Sequence, residues 1–435
     1  METRKRIVAA CLALLLAIWA SGCGAGESGI VVERADRNGA GGEAERVVRL
    51  YNFKVEMAEQ LDTLLSAYKL ESGVTFEVDT CGGGCDYSAG LKTRFNSGDR
   101  PDIFFVAGHT DLELWEEHLE DLSDQPWVGD IVELAKPAIT LDGKVYGMPL
   151  ALEGWGFIYN KALFRQAGVA EPPKTLSQLR EAARKLRAAG IQPFENGYAE
   201  WWILGNHLAN AAFAYHPDPV RFVEDLRNGR AKFADDETMG QWLDLVDLTV
   251  EYGQDNALQT DYNTQVTNFA LGRAAMMQQG VWTQLQIDEL APDLPIGILP
   301  MPINDDAEAM DRLPVGVANY WVVSKQSKVK DEAKAFLQWL VTSEAGKAFI
   351  AKEAKFIPAF RSIPADPEDL GPLAATVMDY AERGKTLSWM WQRFPGYEAN
   401  TSQMAVQLQA YIGKQIPEDR LFLEWQRIWD ELSRQ

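Results

Sequence analysis

Polar and apolar positions alternate along this chain in two rhythms. The run 47–53 (VVRLYNF) predicts a buried strand. The next segment sets Met57, Leu61, Leu64, Leu65 and Tyr68 at helical spacing and stops at Gly73, which predicts a helix over 56–72. Val74, Phe76 and Val78 alternate as a strand, 88–96 suits a helix, and 102–106 (DIFFV) is a short apolar run between breakers. This β-α-β-α-β order predicts an α/β fold with a parallel sheet covered by helices on both faces. In such sheets ligands gather at the carboxyl ends of the strands. Those ends put Asn52 and Phe53, then residues 80–87 with Asp86 and Tyr87, then Gly108 and His109 along one rim.

Further on, a turn at 141–144 (LDGK) leads into 145–150, and 156–159 continues extended before another helical stretch. Thr175 and Gln178 form a capping box for a helix whose Leu179, Ala183 and Leu186 face inward and whose stop is Gly190. Helical patterning covers 218–253. Strands are predicted at 274–279, 295–300 and 315–324, and Ala333, Phe336, Leu337, Leu340 and Val341 mark another amphipathic helix. Helices dominate after Pro372, and no fixed-period repeat suggests a solenoid.

The first residues have the pattern of an address. Arg4, Lys5 and Arg6 precede an apolar stretch at 7–20, which is shorter than the roughly 20 residues that span a bilayer and suits a secretory signal over 1–22. It ends in Ala20-Ser21-Gly22-Cys23, which resembles a bacterial lipobox, with Ala20 where Leu is usual. Cys23 is therefore expected to be lipidated and to hold the protein on the outer face of the cell membrane. Residues 23–46, rich in Gly and charge, are expected to form the anchor and a flexible tether. The GAGESG match to GxGxxG there follows the signal and not a strand, so it carries no nucleotide-binding meaning.

Composition then narrows the chemistry. In 435 residues, 42 Lys and Arg stand against 63 Asp and Glu, a formal charge of −21, which repels phosphate backbones and argues against a nucleic-acid partner. GxSxG, HExxH and GxxxxGK[ST] are absent. The histidines, His109, His118, His207 and His216, are too scattered to suggest a metal site, and no cofactor is expected.

Tryptophan is the informative residue. Trp115, Trp242, Trp339, Trp425 and Trp429 fall on the apolar faces of predicted helices and are assigned to the core. Trp155, Trp201, Trp202, Trp282, Trp321, Trp389 and Trp391 stand beside Gly, Asn or polar residues in predicted loops or strand ends. A pyranose offers C–H faces that pack on indoles and hydroxyls that need carboxylate and amide partners. Tyr198, Glu200, Trp201 and Trp202 supply that chemistry within five residues.

The runs PDIFFVAG, DGKVYGMPLALEGWGFIYNKALF, PPKTLSQLREAARKL, FALGRAAMMQQGVW, VGVANYWVVSK and AKAFLQWLVTSEAGKAF together resemble the family 1 extracellular solute-binding proteins, the binding components of ABC sugar importers. The resemblance implies two α/β lobes hinged over a carbohydrate, one comprising 47–152 plus 314–364 and the other 153–313 plus 365–435. It also implies a non-enzymatic role outside the cytoplasm and delivery of ligand to permease subunits. Glu153 stands where the family's maltose-binding members carry a sugar-bonding Glu. Trp282 matches the Gly-x-Trp whose indole stacks on sugar, and Trp389 and Trp391 fall in the late segment that supplies another stacking aromatic. Asn52, Asp86, Tyr87, His109, Trp155 and Asn319 complete the expected ligand-binding set. Two alternatives stay open: a secreted carbohydrate-active enzyme using two of Asp86, Glu153 and Glu200, or the same fold holding a polyamine or a glycerol phosphate.

Cys81-Gly-Gly-Gly-Cys85 departs from the family pattern. Once Cys11 leaves with the signal and Cys23 is lipidated, Cys81 and Cys85 are the two remaining thiols in an oxidising setting, and a disulfide between them is expected. Two free thiols are the alternative; a metal would find its tetrahedral site half empty.

Overall fold

The two rhythms become two sheets. The computed structural model describes residues 46–82 and 85–434; the signal, Cys23 and most of the tether lie outside them. Strands β1 (Val47–Asn52), β2 (Thr75–Thr80), β3 (Ile103–Val106), β4 (Thr140–Leu141), β5 (Lys144–Val145) and β6 (Gly147–Pro149) come first. After them come β7 (Glu153–Asn160), β8 (Gln192–Glu195), β9 (Ala274–Gly280), β10 (Ile296–Leu299), β11 (Leu313–Gly316), β12 (Tyr320–Val323) and β13 (Thr386–Leu387). The first sheet has the order β2-β1-β3-β12-β6. The second runs β13-β11-β7-β9-β8, with β10 also on β7, and β4 and β5 form a separate hairpin.

The expectation of a parallel sheet holds for part of each sheet only. β1 pairs in parallel with β2 and β3, whereas β12 runs antiparallel to both β3 and β6. In the second sheet β7 is antiparallel to β9, β10 and β11, and the parallel pairs are β8 with β9 and β11 with β13. The cause is connectivity. A helix crossover returns a strand in parallel, whereas β12 enters the first sheet straight from β11 of the second. The apolar run 315–324 is accordingly not one strand: it is the end of β11, the connection 317–319, and β12. Both halves are buried, so hydrophobicity alone could not reveal the change of sheet.

Local signals position these elements as expected. Gly73 ends the helix Ala58–Ser72 at φ 71°, where a side chain would be strained. Thr175 accepts from Gln178 N at 3.2 Å, and Gln178 Oε1 accepts from Lys174 N at 2.9 Å, a capping box displaced by one residue. Each sheet has its own core. Phe104, Phe105, Trp321 and Phe336 fill the first; Trp155, Phe157, Phe194, Phe213, Trp242, Trp425 and Trp429 fill the second. Trp115, Trp242, Trp425 and Trp429 are buried as expected, but Trp339 lies half-buried at an edge, where its indole N–H donates to Glu71 at 2.8 Å. Trp321, expected at a strand end near ligand, is wholly buried.

Candidate functional site

Just beyond β1 the chain turns on Asn52. Its Oδ1 accepts from Lys54 N at 3.1 Å, and its amide donates to Lys54 O at 3.1 Å and to Thr80 Oγ1 at 3.2 Å. This buried turn aims Lys54 at the second sheet. Lys54 Nζ stands 2.5 Å from Glu153 Oε1 and 3.3 Å from Glu56 Oε1, with Lys54 only 5% and Glu153 4% exposed. Burial by itself would lower the Lys54 pKa; the charges of Glu153 and Glu56 outweigh it and raise the pKa above the ordinary lysine value, so the ammonium stays charged.

Glu153 opens β7, opposite Gly316 of β11, and Trp155 lies two residues on, on the same face of the strand, opposite Gly280 of β9. A Cβ at Gly280 would collide with the Trp282 ring, so glycine there lets that indole fold back over the strand end, where its N–H donates to Gln279 Oε1 at 3.0 Å. Between these indoles sits His207, in the π-helical turn Ile203–Leu208. Its ring stacks on Trp155 at 5.0 Å and 22°, and Trp282 lies at 5.0 Å, Trp202 at 5.4 Å and Trp389 at 6.3 Å. Trp391 adjoins Trp389 at 5.5 Å and Tyr397 at 4.9 Å. Burial, reinforced by the Lys54 charge, pushes the His207 imidazole down to about 3, so it is neutral. Tyr262 contacts Trp202 at 5.7 Å, and its buried hydroxyl has no hydrogen-bond partner among the described residues; burial and then the charges of Glu56 and Glu153 raise its pKa.

The loop carrying Trp389 and Trp391 also reaches the first sheet. Gln392 Nε2 donates to Ala107 O at 2.5 Å and to Val317 O at 2.8 Å, and Thr110 Oγ1 donates to Gln392 O at 3.0 Å. His109 stands at this seam with φ 49°, half-buried, its imidazole lowered to about 4 by burial and by Arg393. Asp111 Oδ2 accepts from Ala107 N at 2.8 Å, and burial pushes its carboxyl up to about 6.

Of the residues expected to meet a ligand, Glu153, Trp155, Trp202, Trp282 and Trp389 converge, with Trp391 behind Trp389; Trp155 itself is wholly buried in the second core, its ring covered by His207. Several others do not. Tyr198 is wholly buried in the core, its hydroxyl 2.7 Å from Thr249 Oγ1. Tyr87 stacks on Tyr51 at 4.6 Å and accepts from Phe105 N at 2.8 Å, so both ring and hydroxyl serve the fold. Asn52 has both ends of its amide taken by the turn it builds. Exposed Asp86 caps the helix Tyr87–Ser97 through Ala89 N at 2.9 Å. Glu200 accepts from Tyr262 N at 3.2 Å, and Trp201 packs against the second core. Asn319 lies half-buried in the connection 317–319. Lys54, His207 and Tyr262 escaped the sequence reading. Lys54 alone had a usable signal, its place just past a strand end on the expected rim.

A disulfide joins Cys81 to Cys85, and Cys81 N donates to Asn52 O at 2.8 Å, which sets this loop beside the Lys54 turn. Among the described residues no three His, Cys, Asp or Glu side chains gather as a metal site. A separate surface hollow of about 470 Å³, lined by His216, Arg221, Arg230 and Asp235, lies outside this cluster, and its charges pair internally, as in Arg230–Asp225 at 2.6 Å.

Comparison with known proteins gives a consistent result. The family described as bacterial extracellular solute-binding protein matches residues 54–347. The chain is similar to the maltotriose-binding protein of Pyrococcus abyssi, 27% identical over 295 residues that cover 65% of this chain and 60% of that protein. It is also similar to the multiple sugar-binding protein of Streptococcus mutans, 23% identical over 319 residues covering 70% and 73%. The chain thus spans less than two thirds of the length of the first of these relatives. Among solved structures, RafE in complex with raffinose shares the fold at a TM-score of 0.77 and 22% identity, covering 89% of this chain and 99% of that one. A chitin oligosaccharide binding protein does so at 0.77 and 22%, covering 90% and 100%.

Proposed function

The chain belongs to the bacterial extracellular solute-binding proteins, a two-lobe fold, and from that premise we propose that it binds a neutral sugar or oligosaccharide between its lobes and hands it to the membrane subunits of an ABC importer. One observation carries the reading: indoles from β7, from the turn after β9 and from the late loop meet beside a buried Lys54–Glu153 pair. Apolar faces next to fixed polar groups are the surface a pyranose requires. The lobes follow the expected division, 47–152 plus 314–364 and 153–313 plus 365–435, with the boundary at 314 moved to the connection 317–319 because β11 lies in the second sheet; the first crossing is at 150–152 and the last follows residue 364. They close by a hinge, and the closed form is what the permease recognises.

The sugar-binding names of several relatives support this ligand class. A polyamine is disfavoured, because the Lys54 ammonium already occupies the place between Glu56 and Glu153 that an amine would seek. The three carboxylates weighed for glycoside chemistry are engaged separately, Asp86 with a helix end, Glu153 with Lys54 and Glu200 with a backbone N–H. Cys23, after an export signal, is the lipid anchor that keeps the protein at the outer face of the membrane. Mass spectrometry of the mature protein finding Cys23 unmodified would end that assignment.

A thermal-shift screen of the mature protein against mono- and oligosaccharides, spermidine and glycerol phosphate tests the ligand class. A sugar at 100 times its dissociation constant should add about 2.7 kcal/mol of stability. Stabilisation by spermidine or glycerol phosphate and by no sugar would overturn it.

A further inference from the structure

His207 is an unusual residue for the place it occupies. It is 7% exposed, four indoles surround its ring, and among the described residues neither ring nitrogen has a hydrogen-bond partner. Neither ring nitrogen is among the buried polar atoms left without a partner, so both stay open to the space among the indoles, where a ligand hydroxyl can reach them; a phenyl ring would fill the same niche and offer no such partner. Two half-buried histidines are paired, His216 Nδ1 lying 3.1 Å from Asp218 O and His118 Nδ1 3.4 Å from Gln326 Nε2, whereas His207 is set among indoles instead.

The backbone around His207 is equally particular. It sits in a π-helical turn, a form that recurs at functional sites. Two residues earlier, Gly205 presses so closely on Thr401 that a Cβ would collide with the Thr401 carbonyl. With Gly205 held against the helix Tyr397–Ile412 that carries Thr401, a residue two positions on lies nearly opposite around the turn, toward the indoles. The imidazole is thus aimed by packing into the cluster and left there without a protein partner.

We infer that His207 is the polar specificity contact of this site, pairing its ring nitrogens with hydroxyl groups of a polyhydroxylated ligand while the flanking indoles cover the ligand's C–H faces. A neutral imidazole has one donor and one acceptor, and a sugar hydroxyl can do both, so either nitrogen finds a partner. A cationic ligand would meet the Lys54 charge nearby, and an acceptor-only anion would use one nitrogen and leave the other unpaired. The inference rests on the proposed sugar-binding function and assigns the selection among sugars to His207.

The test uses the mature protein and the sugar that stabilises it best. Absence of any stabilising sugar for the wild type would refute the binding function itself. With a sugar in hand, His207→Phe should keep the fold and lose at least tenfold in affinity by calorimetry, about 1.4 kcal/mol, while His207→Gln should recover part of the loss. In the wild type, the ¹⁵N resonances of the His207 ring should move on titration with the sugar. A folded His207→Phe protein with unchanged affinity would overturn the inference. So would wild-type ring resonances that stay fixed at saturation, a readout that holds even if the Phe variant fails to fold.

Discussion

The Lys54 ammonium lies 2.5 Å from the Glu153 carboxylate, joining the turn after β1 to the first residue of β7 across the two sheets. Both side chains are almost wholly buried, so neither tolerates loss of the other. Lys54→Met leaves Glu153 and Glu56 without their cation and should destabilise the fold by about 3–5 kcal/mol in urea unfolding. The double variant Lys54→Met with Glu153→Gln should recover part of that loss. A single variant as stable as wild type would mean that the pair opens to water.

Trp282 is the aromatic whose placement depends most visibly on a neighbour, because Gly280 must lack a side chain for the ring to fold back. Trp282→Ala should weaken sugar binding at least tenfold, about 1.4 kcal/mol, with the melting temperature of the free protein changed far less. Gly280→Ala should mimic it by displacing the indole. Calorimetry returning the wild-type dissociation constant for folded Trp282→Ala would assign the ring to packing.

Gln392 reaches from the late aromatic loop to Ala107 and Val317 with one amide group. Gln392→Leu keeps the side chain's bulk and removes both bonds, which should favour an open arrangement of the lobes. Small-angle scattering should give a larger radius of gyration for the ligand-free variant than for the wild type, and saturating sugar should bring the two together. Superimposable ligand-free curves would deny Gln392 a part in closure.

His207 titrates at about 3 in the folded protein against an ordinary value of 6.5. Because the folded state refuses a proton that the unfolded chain accepts, its contribution to stability is complete above pH 6.5 and is lost as the pH falls toward 3. His207→Phe removes that dependence. The stability of the wild type relative to the variant should therefore decline by about 1.4 kcal/mol per pH unit well below 6.5. Parallel stability profiles from pH 7 to 4 would show that His207 is protonated in the folded state too.

The Cys81–Cys85 bridge closes a very short loop, and the chain-entropy relation gives it only about 2 kcal/mol. Replacing both cysteines by serine should cost no more than that in global stability. Loosening should instead concentrate beside the Lys54 turn, which Cys81 N meets through Asn52 O, and appear as faster amide exchange in residues 52–57. A loss well above 2 kcal/mol would mean that the bridge supports the core.

Much of this protein was determined by local pattern. Strand and helix rhythms, the stop at Gly73, the Thr175 cap and the core positions of Trp242, Trp425 and Trp429 follow from neighbours in sequence, because each depends on spacing within a turn or a strand. Spacing cannot decide which way strands run in a sheet, so the single apolar run 315–324 hides the passage from β11 to β12. Nor could it separate Tyr198, held by Thr249 in the core, from Trp202, which faces the cluster four residues later. The side-chain chemistry is adjacent in sequence, but facing is set by what packs behind. Lys54 and His207 show the converse. Lys54 lies just past a strand end and His207 only five residues after Trp202, yet each acquires its meaning from groups far along the chain, Glu153 at 99 residues from Lys54 and the indoles of Trp155, Trp282 and Trp389 around His207. Contacts over that distance exist only after the sheets have formed and met, so tertiary structure alone could bring the charge, the imidazole and the rings together.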